Sequence, residues 1–392
     1  MRHTCRFAAV LGLALILVVT TVAGSSTSSL FGDPLPELRD QELALFEAGI
    51  DEFQQVETVE NGLGPVFNEA SCASCHSDPV VGGGSNRLET RFGRLKPDGS
   101  FDPMVEFGGS LLQDHGIGRV GSYDYNAERV PVEATIIARR RTTPLFGLGL
   151  VDAVPDAKFE ALARMQARST PETAGRPNTV TDLANKVAVG KFGWKAQVPT
   201  LLQFAADAYL NEMGITSPFF PNENCPQGDC SLLTGNPAPG LNDDGAGVEA
   251  FANFMTLLAP PPRGPITKDV AAGEVIFMSL GCASCHVPEL KTGSHPVKAL
   301  AHQTFFPFSD FLLHDMGNLG DGIEQGQATG PEMRTAPLWG LREIKRFLHD
   351  GRATTIDQAI GAHDGQGAAA RDAFNGLPPD SKSKLRSFLD SL

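Results

Sequence analysis

Positive charge is scarce in this chain. Lysine and arginine number 32 against 46 aspartates and glutamates, for a formal net charge of −14, which excludes nucleic acid as a partner. A run long enough for a comfortable membrane span is also missing. The apolar stretch from Phe7 to Val19 falls short of the ~20 residues a spanning helix needs, and Ser25 to Ser29 follow it instead of a basic flank. Hydrophobic residues at 41% and charged residues at 20% exclude wholesale disorder. Tryptophan occurs only at Trp194 and Trp339, and cysteine is rare enough for each of the seven to be given a separate role.

What is present points to secretion. Arg2 and Arg6, the apolar run and small residues around Ala23 and Gly24 read as a signal peptide over residues 1–24, with a retained N-terminal anchor as the alternative. Cys5 leaves with the signal, and losing Arg2 and Arg6 takes the formal net charge from −14 to −16. An acidic protein in the periplasm is steered towards basic partners, such as a small electron donor of the cytochrome c or copper-protein kind. The 392 residues are too many for one simple core, so two domains are expected. Gly 42 and Pro 28 make the fold loop-rich.

The pentapeptide Cys-Ala-Ser-Cys-His occurs twice, at Cys72–His76 and Cys282–His286. C-x-x-C-H attaches haem c: two thiols on one helical turn form thioethers to the vinyl groups, and the adjacent histidine reaches the iron. A thioredoxin-like pair lacks its βαβ context here, zinc would need further ligands at compact spacing, and chance does not repeat the motif. Two covalent haems are expected, with Cys72, Cys75, Cys282 and Cys285 as anchors and His76 and His286 as axial ligands. Cys225 and Cys230, in the loop NENCPQGDC, are left for a local disulfide, or stay as two unpaired thiols.

The order of parts is duplicated as well. A helix from Asp40 to about Gln55, with Leu43, Phe46, Ile50 and Phe53 at helical spacing, leads into the first motif. A helix capped by Thr267 and carrying Val270, Ile276 and Phe277 leads into the second. Val248, Phe251, Met255 and Leu258 mark a closing helix stopped by Pro260, Pro261 and Pro262; Leu385, Phe388, Leu389 and Leu392 mark another. Between motif and closing helix, Arg141-Thr142-Thr143-Pro144-Leu145-Phe146-Gly147-Leu148 is echoed by Arg334-Thr335-Ala336-Pro337-Leu338-Trp339-Gly340-Leu341. The expected fold is mainly α: two cytochrome c-like haem domains with long loops, residues 25–262 and 263–392. The first carries insertions, chiefly 165–245, with an irregular excursion from Glu223 to Gly247.

The stretches GLGPVFNEASCASCH, TTPLFGLGLVDAVPD, GKFGWKAQVPTLLQFAADAYLNEMGI, LLHDMG and MRTAPLWGLREIKRFLHDGRATTIDQAI resemble the dihaem oxidoreductases of the cytochrome c peroxidase superfamily. That superfamily includes the bacterial dihaem peroxidases and the dihaem enzyme of methylamine utilisation, and the branch most resembled is the "thiol oxidoreductase-like" one. The resemblance runs from about residue 40 to the C-terminus. It implies two haems facing each other across the domain interface, one taking electrons from a carrier and the other meeting peroxide.

It also implies distal ligands. In the peroxidases a methionine lies several residues past an H-D-G-like turn, at the end of a short helix. Here that helix is Thr355–Ala362 and the residue in place is His363, which implies bis-histidine ligation with His286; Met316 is the alternative. His295, His302, His314 and His349 are further histidines of this half. In the first half a displaceable histidine is implied on a loop that here holds His115, with Met104 nearby. Glu106, Asp152 and Glu172 are candidate carboxylates for peroxide protons, with Glu106 and His115 the leading pair. Trp194 is either an electron relay or a core anchor. Asn242, Asp243 and Asp244 either bind a calcium ion or form a solvated turn.

The function expected from all this is reduction of hydrogen peroxide with electrons from a periplasmic donor. The alternatives are a non-catalytic dihaem electron carrier and an oxidase of a protein side chain. Nothing in the sequence sets the oligomeric state.

Overall fold

The computed structural model describes residues 30–392, so the expected signal peptide lies outside the described residues. Among them no helix is long and apolar enough to cross a membrane. Helix makes up 37% of the structure and strand 15%, the strands being short antiparallel pairings of loop segments.

Helix α1 (Asp40–Gln54) forms where the apolar spacing predicts it, but its buried line runs through Glu42, Phe46, Gly49 and Phe53. Leu43 stays at the surface, because Glu42 turns inward to accept the Arg39 backbone N–H at 2.8 Å. After the single turn α2 (Cys72–Cys75) come a three-stranded sheet centred on Leu88–Leu95, then α3 (Leu148–Asp152), α4 (Asp156–Ser169), α5 (Leu201–Met213) and α6 (Ala246–Leu257). Beyond the prolines lie α7 (Lys268–Ser279), α8 (Ile356–Gly361), α9 (Ala368–Asn375) and α10 (Pro379–Leu389). The Thr267 hydroxyl caps α7 by accepting from Val270 N–H at 3.2 Å.

The two haem-motif segments share a packing device. α1 lies on α6 so closely that a Cβ on Gly49 would sit 2.6 Å from the Ala250 carbonyl oxygen, and a Cβ on Gly273 of α7 would sit 2.0 Å from that of Lys384 on α10. One turn after each glycine stands a phenylalanine, facing the phenylalanine of the partner helix. Phe53 and Phe254 have ring centres 4.9 Å apart, and Phe277 and Phe388 5.2 Å. Side-chain-free contact at the glycine brings these rings together, and each ring lies at the centre of its own hydrophobic cluster.

The echoed octapeptides are also alike in three dimensions. Arg141 and Arg334 each end a strand, and Gly147 and Gly340 start the following helical turn with φ of 71° and 73°. A Cβ on Gly147 would lie 2.9 Å from Pro260, and one on Gly340 2.9 Å from Pro261. The proline stretch is thus wedged against both copies.

The stretch expected from sequence to be an insertion makes contacts that its irregular sequence does not suggest. Residues 166–195 clasp the second half: Gln166 Nε2 donates to Asp310 at 2.8 Å, Asn178 Nδ2 to the Gln325 carbonyl at 3.0 Å, and Lys195 Nζ pairs with Asp321 at 3.1 Å. Arg140 meets the same Asp321 at 2.7 Å, so two cations share one buried carboxylate. From Glu223 to Gly247 the chain makes only short turns, pinned by a Cys225–Cys230 disulfide with Cα atoms 4.5 Å apart.

Substituting Gly273→Ala pushes a methyl group into the α10 backbone, which cannot yield as a flexible side chain would. Denaturant unfolding should show a loss of roughly 1–3 kcal/mol, typical of overpacking; an unchanged midpoint would mean that the helices do not need this approach.

Candidate haem sites

Each C-x-x-C-H segment begins a short helical turn, so both thiols lie on one side and the histidine follows at the end of the turn. His76 Nδ1 donates to the Gly83 carbonyl at 3.1 Å, and His286 Nδ1 to the Phe308 carbonyl at 3.1 Å. The residue before each acceptor is itself held by the echoed motif. Leu145 N–H donates to Gly82 O at 2.8 Å, and Leu338 N–H to Pro307 O at 2.9 Å. Phe53 packs edge-on to His76 with centroids 6.0 Å apart, and Phe277 lies 6.4 Å from His286. Burial pushes both imidazoles down to about 4. Both are therefore neutral at physiological pH, with Nδ1–H committed and Nε2 free as a donor to a metal.

Around the second motif lies a cavity of about 440 Å³, lined by Cys282, Cys285, His286, Met316, His363 and largely apolar neighbours, within the ~300–1,000 Å³ of ordinary cofactor pockets. His363 follows α8, whose N-cap Thr355 accepts from Gln358 N–H at 3.2 Å. Its Nδ1 donates to the Ala359 carbonyl at 2.8 Å, and burial lowers its pKa. The rings of His286 and His363 stand with centroids 6.4 Å apart. Two imidazoles bound to opposite sides of one metal, at about 2 Å per bond, have ring centres about 6 Å apart. The donor set therefore fits a haem held at its thiols and sandwiched between two imidazoles. Met316 lines the same cavity, with its methyl group against Gly367 next to His363.

Other histidines of this half are committed elsewhere. His314 Nε2 meets Asp310 at 2.9 Å and its Nδ1 lies 3.4 Å from Cys285 Sγ. Burial opposes its charge, but Asp310 outweighs it and the imidazole is pushed up to about 10. His302 is exposed. His349 is buried beside Trp194, with ring centres 6.2 Å apart, and burial lowers its pKa. Trp194 donates its indole N–H to the Arg141 carbonyl at 2.9 Å and accepts Arg334 N–H on its own carbonyl at 2.9 Å. It is thus braced between the two echoed arginines at the cavity wall.

The first motif has different neighbours. His115 stacks on Phe67 with centroids 5.5 Å apart and pairs with Asp114 at 2.6 Å in a half-exposed strand. Glu106 sits at the surface, bound by Arg94 at 2.7 Å, and no recorded contact joins it to Cys72–His76. Met104 is fully buried. Asp152 accepts from Leu201 N–H at 3.1 Å, and Glu172 is exposed at the mouth of the second cavity.

The carboxylates whose charge reaches Cys75 are instead Glu212, Asp114 and Glu89; burial first, and they after it, push its thiol up to about 12. Glu89 and Arg91 alternate on the strand Leu88–Leu95 and pair at 2.8 Å. Glu212 projects from α5, accepts from Asn68 Nδ2 at 2.7 Å and lies close enough to Glu89 for the two carboxyls to influence each other's protonation. Burial first, and Glu89 second, push Glu212 up to about 8, while Arg91 keeps Glu89 low. Two adjacent carboxyls with separated pKa values are the arrangement of an acid–base pair. Sequence reading missed them because they lie on separate elements; the alternation of Glu89 and Arg91 was the only local signal.

The proposed calcium ligands are occupied. Asn242 Oδ1 accepts from Thr216, Asp243 holds the Gly245 and Gly247 N–H groups, and no group of three metal-binding side chains occurs among the described residues.

A family model described as "di-haem oxidoreductase, putative peroxidase" matches residues 124–392, more than half of the chain. The chain belongs to the di-haem oxidoreductase family. It is accordingly an oxidoreductase with two haem cofactors. No curated protein matches it. Among solved structures, hydrazine synthase of Kuenenia stuttgartiensis aligns at 14% identity over 97% of this chain and 100% of that one, with a TM-score of 0.39. A MauG-like protein associated with microbial copper homeostasis aligns at 13% identity over 93% of each chain, TM-score 0.40. The diheme peroxidase BthA of Burkholderia thailandensis aligns at 14% identity over 89% of this oxidoreductase and 86% of its own chain, TM-score 0.37.

The Asp310–His314 pair gives this oxidoreductase a pH signature. Because His314 is raised to about 10 in the folded chain, its contribution to stability is complete below the ordinary histidine value of about 6.5 and is lost as pH rises through 10. Denaturant midpoints should fall over that window, and Asp310→Asn should flatten the decline. An unaltered pH profile in Asp310→Asn would refute the pairing.

Proposed function

We propose that the chain is a secreted dihaem cytochrome c that reduces hydrogen peroxide, with haem attached at Cys72 and Cys75 and at Cys282 and Cys285. The two haem-binding halves are residues 25–262 and 263–392, meeting at the proline wedge. The observation that carries the reading is an asymmetry: His286 is faced by a second imidazole, His363, whereas the first motif has a half-buried acid pair, Glu89 and Glu212, whose charge reaches Cys75. When bound, haem supplies the iron that stores electrons and the iron at which peroxide is reduced.

The chain's own residues divide that work. His286 and His363, each fixed through Nδ1 to a backbone carbonyl, hold the second site rigid and closed, which suits electron entry. Met316 packs alongside as the alternative ligand. At the first site, turning one peroxide into two waters consumes two protons along with two electrons. Glu89 is the carboxylate that accepts the first peroxide proton and Glu212 the carboxyl that returns one, with Arg91 and Asn68 holding them in place. They take over the role expected of Glu106, whose carboxylate is engaged with Arg94. His115, on the strand paired to Val66–Phe67 just before Cys72, is the displaceable group at the rim. Trp194, bonded to both halves, lies where an electron passing between them would travel. The acidic surface suits a small basic periplasmic donor.

His363→Ala should convert one haem from low to high spin in the oxidised absorption spectrum and leave the other unchanged. A spectrum that changes in Met316→Ala but not in His363→Ala would transfer the ligand role to Met316. In stopped flow, Glu212→Gln should slow the peroxide reaction by roughly 10²–10⁴-fold. Since Glu212 must carry its proton, the wild-type rate should fall as pH rises through about 8, and the variant should lack this limb. A wild-type rate flat across that pH would exclude Glu212, and a protein inert to peroxide would favour the electron-carrier reading.

A further inference from the structure

The echoed octapeptides leave one residue of each copy unaccounted for. Leu145 and Leu338 hold the proximal loops, Gly147 and Gly340 turn the chain against the prolines, and both copies begin with an arginine, half-buried at Arg141 and buried at Arg334. Arg334 has 7% of its surface exposed and forms no ion pair among the described residues. Its Nε donates to the Gly193 carbonyl at 2.7 Å and its Nη1 to the Thr335 carbonyl at 3.2 Å, leaving Nη2 without a partner. The Arg141 side chain makes no hydrogen bond or ion pair among the described residues, and its Nε is buried and unsatisfied. The adjacent Arg140 shows what a compensated arginine looks like here, with Asp321 at 2.7 Å. Asp310 and Asp78 favour the charges of Arg334 and Arg141 only from beyond ion-pair distance, and buried guanidinium donors left unpaired are costly.

Both arginines line the same cavity as Cys282, Cys285, His286 and His363, one on each side of Trp194, which is bonded to the backbone of both. That cavity is where the anionic groups of a bound ligand would meet both guanidinium groups. We propose that Arg141 and Arg334 are haem-positioning residues that take the propionate carboxylates entering it. The planar guanidinium forks suit carboxylates, and their charge would offset that of the propionates in a largely apolar cavity. The repeat thus supplies each copy with a proximal-loop clamp and a propionate anchor within five residues. The inference rests on the haem-binding reading above.

The test uses full-length protein carrying two covalent haems per chain, checked first by haem yield after denaturation; haem lost at that step would overturn the haem-binding reading and not this one. Midpoint potentials of both haems are then measured against pH in wild type, Arg334→Gln and Arg141→Gln. Removing a cation that faces a propionate favours the ferric state, so the potential of a haem should drop. The unpaired buried carboxylate should also take up a proton as pH falls, adding a pH slope that the wild type lacks. Arg334→Lys and Arg141→Lys, which keep the charge, should restore most of the potential. A purely structural role predicts lower unfolding temperatures with potentials and slopes unchanged, and that result in both glutamine variants would overturn the proposal. If Arg334→Gln fails to fold, Arg141→Gln, whose side chain makes no internal bond, carries the test alone.

Discussion

The two haem sites depend on one hydrogen bond apiece, from the Nδ1–H of the proximal histidine to a backbone carbonyl. Gly83 accepts it in the first half and Phe308 in the second, each in a loop fixed one residue earlier by a leucine N–H of the echoed motif. With Nδ1 committed and the imidazole neutral, Nε2 is the only position from which a metal can be held, and the ring cannot rotate without breaking the bond. The helix pairs serve the same end. Glycine contact at Gly49 and Gly273 lets α1 and α7 approach their partners, which sets Phe53 and Phe277 against the same two imidazoles.

From this common platform the two motif segments diverge in their surroundings. The second half spends its C-terminal segment on α8 and His363, a second neutral imidazole with its Nδ1 equally committed. The first half places Glu89, Arg91 and Glu212 beside its motif, where burial and mutual repulsion keep a proton on one carboxyl next to an ionised one. The clasp from Gln166 to Lys195 and the shared Asp321 hold the two environments in fixed relation. In the proposed function that rigidity suits electron transfer, which is faster when little reorganisation is needed.

Much of this was legible in the sequence because it is carried by local patterns. C-x-x-C-H, the apolar spacing of α6 and α10, the Thr267 cap and the stop at Pro260 each involve neighbouring residues. His363 was singled out because the family resemblance puts a ligand several residues past an H-D-G-like turn, at the end of a short helix, and the structure brings its ring centre to 6.4 Å from that of His286. Glu89 and Glu212 could not be, since a strand and a helix more than a hundred residues apart bring them together; Glu106 drew attention through its Gly-rich loop, and His115 through its own loop together with the family resemblance. The clasp was hidden for a related reason: Gln166, Asn178 and Lys195 look like ordinary polar residues until their partners in the second half are known. The paired glycines of α1 and α7 carried a signal, each four residues before a phenylalanine, that stands out only once the helices are seen to cross there.

The account stands on one haem being closed by two histidines while the other keeps a position for substrate. Low-temperature electron paramagnetic resonance of the fully oxidised wild-type protein reads that difference directly. The account predicts one low-spin signal with the anisotropy of bis-histidine ligation and a second, high-spin signal of equal integrated weight that alone changes on adding a small anionic ligand. Two low-spin signals, neither altered by that ligand, would contradict it.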